Sequence, residues 1–128
     1  ASKSVLHPRD LARYPLIALN PEDAASQRLD GIFQDHGVRP DIIVETPYTI
    51  SICEMVRQGL GVGIVNAVTA YDYLGRDVVL RRFSERLEYH CILAMPSGQP
   101  LTSFAQQLLS AMRVRLEADL TELRTALA

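Results

Sequence analysis

Apolar positions in this chain fall into short continuous runs that alternate with segments of helical period. Leu16-Ile17-Ala18-Leu19 is a four-residue apolar run closed by the turn pair Asn20-Pro21, which predicts a buried strand. From Asp23 to His36 the apolar residues Ala25, Leu29, Ile32 and Phe33 step by three or four, which predicts a helix, with Gly37 as its left-handed stop. Asp41-Ile42-Ile43-Val44-Glu45 is a second strand. Thr46 as cap and Pro47 at the first helical position open a second helix with Ile52, Met55 and Val56 on one face, ending at Gly59. Leu60 to Val65 reads as a third strand and Ala67 to Tyr73 as a short helix. Gly75-Arg76-Asp77 reads as a turn, and Val78 to Phe83 and Leu87 to Met95 as two more strands. His7 to Leu11 has the look of a short helical turn.

The clearest periodicity comes last. Leu101, Phe104, Leu108, Met112, Leu116, Leu120, Leu123 and Leu127 predict one helix from Leu101 to about Ala126, roughly 39 Å long at 1.5 Å per residue. Arg113, Arg115, Glu117, Asp119, Glu122 and Arg124 line its polar side, and its second half is expected to pack on a partner chain or fray into solvent. Strand, helix, strand, helix, strand predicts an α/β fold with a parallel sheet covered by helices.

Composition narrows the function classes. The 128 residues are 48% hydrophobic and 22% charged, a globular balance, with a net charge of −2 and no Trp. Such a chain has little means of holding a nucleic-acid backbone or stacking on single strands. Cys53 and Cys91 are expected to be two buried free thiols in a reducing, cytoplasmic setting; they supply neither a disulfide scaffold nor a zinc set, so no metal or cofactor is expected. No apolar run reaches the roughly 20 residues of a membrane span, and the first residues lack the apolar core of a signal peptide.

Gly59-Leu60-Gly61-Val62-Gly63 follows a helix and opens a strand, the reverse of a dinucleotide-binding turn. Gly59 is read as a helix stop, and Gly61 and Gly63 as positions of close helix–strand packing. His7, His36 and His90 are not paired at ligand spacing, and no serine sits in a nucleophile-elbow context. The informative places are the two strand-to-helix turns, Asn20-Pro21-Glu22-Asp23 and Thr46-Pro47-Tyr48-Thr49, both at the carboxyl edge of the sheet, where open α/β sheets bind ligands. Thr46, Thr49 and Ser51, with helix N–H groups, suit a carboxylate; Tyr48 offers an aromatic wall; Glu22 and Asp23 suit an ammonium group. Plain helix capping and dipole compensation account for the same residues without a ligand.

Several stretches resemble the effector-binding domain of LysR-type transcriptional regulators. They are His7 through Leu19, Gly37-Val38-Arg39-Pro40, Val44-Glu45-Thr46 and above all Met55-Val56-Arg57-Gln58-Gly59-Leu60-Gly61-Val62-Gly63-Ile64-Val65-Asn66. The resemblance runs from about Lys3 to Arg113, with Gln58 where a small residue is usual and Ala67 where a proline is common. The subgroup of the lysine-biosynthesis regulator is similar at Asn20-Pro21-Glu22-Asp23, Glu45 to Cys53, Val65 to Tyr73 and Leu80 to Phe83.

The resemblance implies a fold like type 2 periplasmic binding proteins, two α/β lobes around an effector cleft. On that basis residues 3–73 are lobe II, and 74–128 are the returning strands and long helix of lobe I. The winged helix-turn-helix and the first half of lobe I are expected to lie outside the chain, as in a fragment or truncated product. The implied function is sensing of a small amino-acid-like effector such as diaminopimelate, without catalysis. DNA would be contacted only through the absent N-terminal domain, with no membrane partner. Bets for the effector site are Thr46, Tyr48, Thr49 and Ser51 at a carboxylate end, Asn20, Glu22 and Asp23 at an amine end, and Asn66 at the rim. Homo-oligomers are expected through the Val78–Phe83 and Leu87–Met95 strands or the last helix. The alternatives are a non-sensing dimerisation module, or a small enzyme using Glu22, Asp23 or Glu45.

Overall fold

The computed structural model describes residues 4–90, 92, 94, 95 and 97–128. Its elements are β1 (Val5–Leu6), α1 (Pro8–Leu11), β2 (Pro15–Leu19), α2 (Ala24–Asp35), β3 (Asp41–Thr46), α3 (Thr49–Arg57), β4 (Val62–Gly63), α4 (Ala67–Asp72), β5 (Arg82–Phe83) and α5 (Ser103–Ala126). Two parallel sheets are present among the described residues: β3-β2-β4, and a two-stranded β1-β5 pair. The fold is α/β, as the alternation of strands and helices predicts.

β2 is central and buried on both faces, which is why its sequence is an unbroken apolar run. Leu16 faces one way and joins Leu11 and Phe33, with Leu29, Val62 and Ile64 packed around them. Ile17 and Leu19 face the other way and join Ile52, with Val44, Met55 and Val56. The period-2 alternation of β2 thus divides the core into an α2 side and an α3 side.

α2 runs as predicted because both ends are specified. Asp23 Oδ1 accepts the N–H of Ala25 at 2.7 Å, and Gly37 follows with φ +63°. At Gly63 the packing is tight: a methyl group added there would run into Ile52 Cγ2, and one at Gly61 into the Pro15 carbonyl oxygen. The close helix–strand approach read from these glycines is present.

Four expectations are corrected. First, Thr46 is not the cap of α3. It is the last residue of β3, paired with Leu19, and α3 starts at Thr49 with Tyr48 at its cap. Pro47 disfavours helical backbone at the residue before it, so Thr46 stays extended. Second, the Leu60–Val65 strand shrinks to Val62–Gly63, which pairs only with Leu16 and Ile17. Third, the Val78–Phe83 strand shrinks to Arg82–Phe83, and the described positions between Leu87 and Met95 form no strand. A strand needs a ladder partner, and β1 offers only Val5 and Leu6. Positions 91, 93 and 96 lie outside the described residues, so the expectation for Cys91 does too.

Fourth, the two halves of α5 exchange roles. Its second half lies on α4 of the same chain, with Leu123 buried. Its first half carries the exposed apolar residues Phe104, Leu108 and Met112. The 24 residues span about 36 Å.

Candidate functional site

The carboxyl ends of β2 and β3 meet in one hydrogen bond. The Asn20 N–H donates to the Thr46 carbonyl at 3.1 Å, so the two strand-to-helix turns lie side by side. Thr46 is buried, and its Oγ1 accepts the Tyr48 N–H at 3.4 Å. That bond shapes the turn into α3 and leaves Tyr48 itself 65% exposed. Tyr48 supplies no side-chain cap. The Ser51 N–H donates to the Tyr48 carbonyl at 3.1 Å, so the Thr49 and Ile50 N–H groups are the ones that keep their capacity for an acceptor from outside the helix. Thr49 and Ser51, both half-buried, sit in that turn.

The third turn, after β4, joins the same edge. Asn66 caps α4, its Oδ1 accepting the Thr69 N–H at 2.8 Å. The hydroxyls of Thr49 and Thr69 lie 2.8 Å apart and share a hydrogen bond. The structure thus gathers Asn20, Thr46, Tyr48, Thr49, Ser51 and Asn66 around the ends of three parallel strands. Thr69 lies outside the site residues that the sequence singles out. The three-residue Asn66–Thr69 capping spacing was its only signal, and it says nothing of Thr49.

The acidic pair is different. The Asp23 carboxylate is engaged with the Ala25 N–H and, at 3.4 Å, the Ser26 N–H. The Ser26 hydroxyl in turn donates to the Leu19 carbonyl at 3.1 Å, tying α2 to the end of β2. Glu22 is exposed. Asp23 is a cap first, and any ammonium ligand would have to share it.

Elsewhere His36 has structural partners. The His36 Nδ1 lies 2.9 Å from the Ile32 carbonyl at the end of α2, and its Nε2 lies 3.6 Å from Glu85. Cys53 is a buried free thiol, and burial pushes its pKa up, with the nearby Glu54 charge adding to the shift. Among the described residues no group of three or more His, Cys, Asp or Glu could hold a metal ion.

Comparison with known proteins decides the family: the LysR substrate binding domain matches residues 1–117. The chain belongs to that family. The chain is 38% identical over 127 residues to the transcriptional activator protein LysR of Escherichia coli strain K12, covering 99% of this chain and 40% of that relative. It is 30% identical over 115 residues to the regulatory protein NocR of Agrobacterium tumefaciens strain T37, covering 87% of this chain and 38% of that relative. NocR of Agrobacterium fabrum matches to the same extent. This LysR substrate binding domain therefore spans about two fifths of the length of these relatives. All three are named as regulators and none as an enzyme. No helix among the described residues is long and apolar enough to cross a membrane.

Proposed function

We infer that this chain is the effector-sensing part of a LysR-type transcriptional regulator and does no catalysis. The observation that carries the reading is the convergence of three strand-to-helix turns, with hydroxyl and amide side chains, around the uncapped start of α3. Thr46, Tyr48, Thr49 and Ser51 would hold a carboxylate, and Asn20, Glu22 and Asp23 an ammonium group, with Asn66 at the rim. A small amino-acid-like effector has both ends, and diaminopimelate has each of them twice. In the periplasmic-binding-protein-like arrangement that family membership supports, residues 3–73 form one lobe and 74–128 return to the other. DNA would be held by a part of the regulator outside these residues, in the cytoplasm, by a homo-oligomer.

Calorimetric titration with diaminopimelate, lysine and arginine tests this. Binding of at least one is expected, and Thr49→Ala should weaken it by about 1.5–3 kcal/mol if a hydrogen bond to charge is lost. No heat from any of the three removes the amino-acid reading. A second reading, a dimerisation module with a vestigial site, is favoured by the exposed apolar face on the first half of α5.

A further inference from the structure

Two side chains of the six-residue α4 and that of its C-cap Tyr73 make cross-helix hydrogen bonds, and they alternate in direction. The Thr69 hydroxyl shares its bond with Thr49 at the start of α3, 2.8 Å away. The Tyr71 hydroxyl donates to Glu122 Oε2 on α5 at 2.9 Å. The Tyr73 hydroxyl, at the end of α4, donates to Glu54 Oε1 on α3 at 2.6 Å. Positions four apart on a helix share a face and positions two apart do not. So one face of α4 is fastened to α3 at two points, and the opposite face is fastened to α5. α4 and α5 pack on each other, and Ala70 and Leu123, both buried, line one cavity that is also walled by Val62, Ile64 and Phe83.

We propose that α4 couples occupancy of the effector site to the docking of α5, with Thr69 as the positioning residue that acts through Thr49. This rests on the reading of the α3 start as the carboxylate end of the site. A threonine hydroxyl has one proton to donate and two lone pairs, whereas a carboxylate only accepts. In the unliganded chain either threonine can be the donor in the shared bond. A bound carboxylate claims the Thr49 proton, so Thr69 becomes the donor to Thr49. The resulting chain, Thr69 to Thr49 to carboxylate, is polarised along its length and each bond strengthens the next. Effector binding thereby fastens α4 more firmly to α3, and α4 carries Tyr71 and Ala70 to α5. Linkage makes the effect reciprocal: loosening α5 from α4 lowers effector affinity.

Amide hydrogen exchange of residues 118–126 tests this, on the wild type, Thr69→Val, Thr69→Ser, Thr49→Val and the Thr49→Val/Thr69→Val double variant. Without ligand, Thr69→Val and Thr49→Val should each speed exchange in this segment relative to β2. The double variant should add nothing further, since both changes remove one shared bond, and Thr69→Ser should restore protection. At saturating diaminopimelate the wild-type segment should slow beyond the change in β2, by about fivefold or more, and Thr69→Val should lose that excess. Unchanged ligand-free exchange in Thr69→Val overturns the coupling whether or not diaminopimelate binds. An equal excess slowing in Thr69→Val overturns it too. Absence of diaminopimelate binding counts against that effector alone, and the ligand-free arm still decides the coupling.

Discussion

The Tyr73 hydroxyl and the Glu54 carboxylate meet at 2.6 Å, and the other Glu54 oxygen accepts both Nε and Nη2 of Arg57 at 3.0 and 2.8 Å. The Arg76 guanidinium lies 5.9 Å from the centre of the Tyr73 ring. The ring is buried while the carboxylate is exposed, so the pair closes the end of α4 over the end of α3. The Tyr73 hydroxyl, and after it the Arg57 guanidinium, hold the Glu54 carboxyl below its usual range. The bond to Glu54, and after it burial, pushes the Tyr73 phenol up to about 12.

These shifts act on stability in opposite directions of pH. A carboxyl with a lowered folded-state pKa stabilises above its ordinary value of 4.5, and that contribution is lost as pH falls through the folded value. A phenol raised from 10.0 stabilises below that value, and the contribution is lost as pH rises toward about 12. Urea denaturation of Tyr73→Phe across the pH range should therefore show a shallower fall below pH 4.5 and a shallower fall between 10 and 12 than the wild type. Identical limbs in the two proteins would mean that the bond carries no linkage.

Gly63 sits where α3 comes closest to the sheet. Alanine there meets Ile52 Cγ2 and the Ile17 carbonyl oxygen, and Ile52 is fully buried with little room to turn aside. Overpacking of this kind costs about 1–3 kcal/mol. Gly63→Ala should lose that much in chemical denaturation, and the combination with Ile52→Leu, which lacks the Cγ2 methyl, should recover part of it. A full-strength Gly63→Ala would show that Ile52 yields without strain.

Asp23 separates two roles by charge. Asp23→Ala removes the cap and should cost about 1 kcal/mol of stability. Asn is an equally good cap, so Asp23→Asn should keep the stability while removing the negative charge. If the carboxylate also holds an ammonium group, Asp23→Asn weakens effector binding with no change in denaturation midpoint. Full affinity in Asp23→Asn assigns the residue to capping alone.

The sequence made some parts of the fold readable and left others hidden, for physical reasons. α2 was legible to within a residue because Asp23 and Gly37 specify its ends chemically. β2 was legible because burial on both faces leaves an unbroken apolar run. Thr46-Pro47 misled because the same pair fits a helix cap and a strand end. Only the backbone pairing of Leu19 with Thr46, a long-range fact, decides between them. The strand expected over Leu87 to Met95 has suitable residues, but alternation alone cannot supply a neighbouring strand. The placing of Asn20 beside Thr46 followed from the parallel-sheet argument. The meeting of Thr49 with Thr69 did not, because their partnership depends on how α4 docks, which local patterns do not encode.

The first half of α5 offers the last test. Phe104, Leu108 and Met112 are spaced by four, and each is more than half exposed. They form one apolar stripe along a helix whose other half already packs on α4. In a two-fold arrangement the same stripe from each copy is buried, at roughly 1.5–3 kcal/mol per side chain. Association costs about 4–15 kcal/mol, so the balance is close and the assembly should depend on concentration. Light scattering coupled to size-exclusion chromatography is expected to show the chain growing beyond a monomer as concentration rises. Phe104→Glu with Met112→Glu should hold it monomeric at every concentration while leaving α4 and Leu123 in place. A wild type that stays a clean monomer when concentrated would assign this stripe no role in self-association. A charged variant that still assembles would move the contact to the exposed edge of β3, where Ile42 and Ile43 also face solvent.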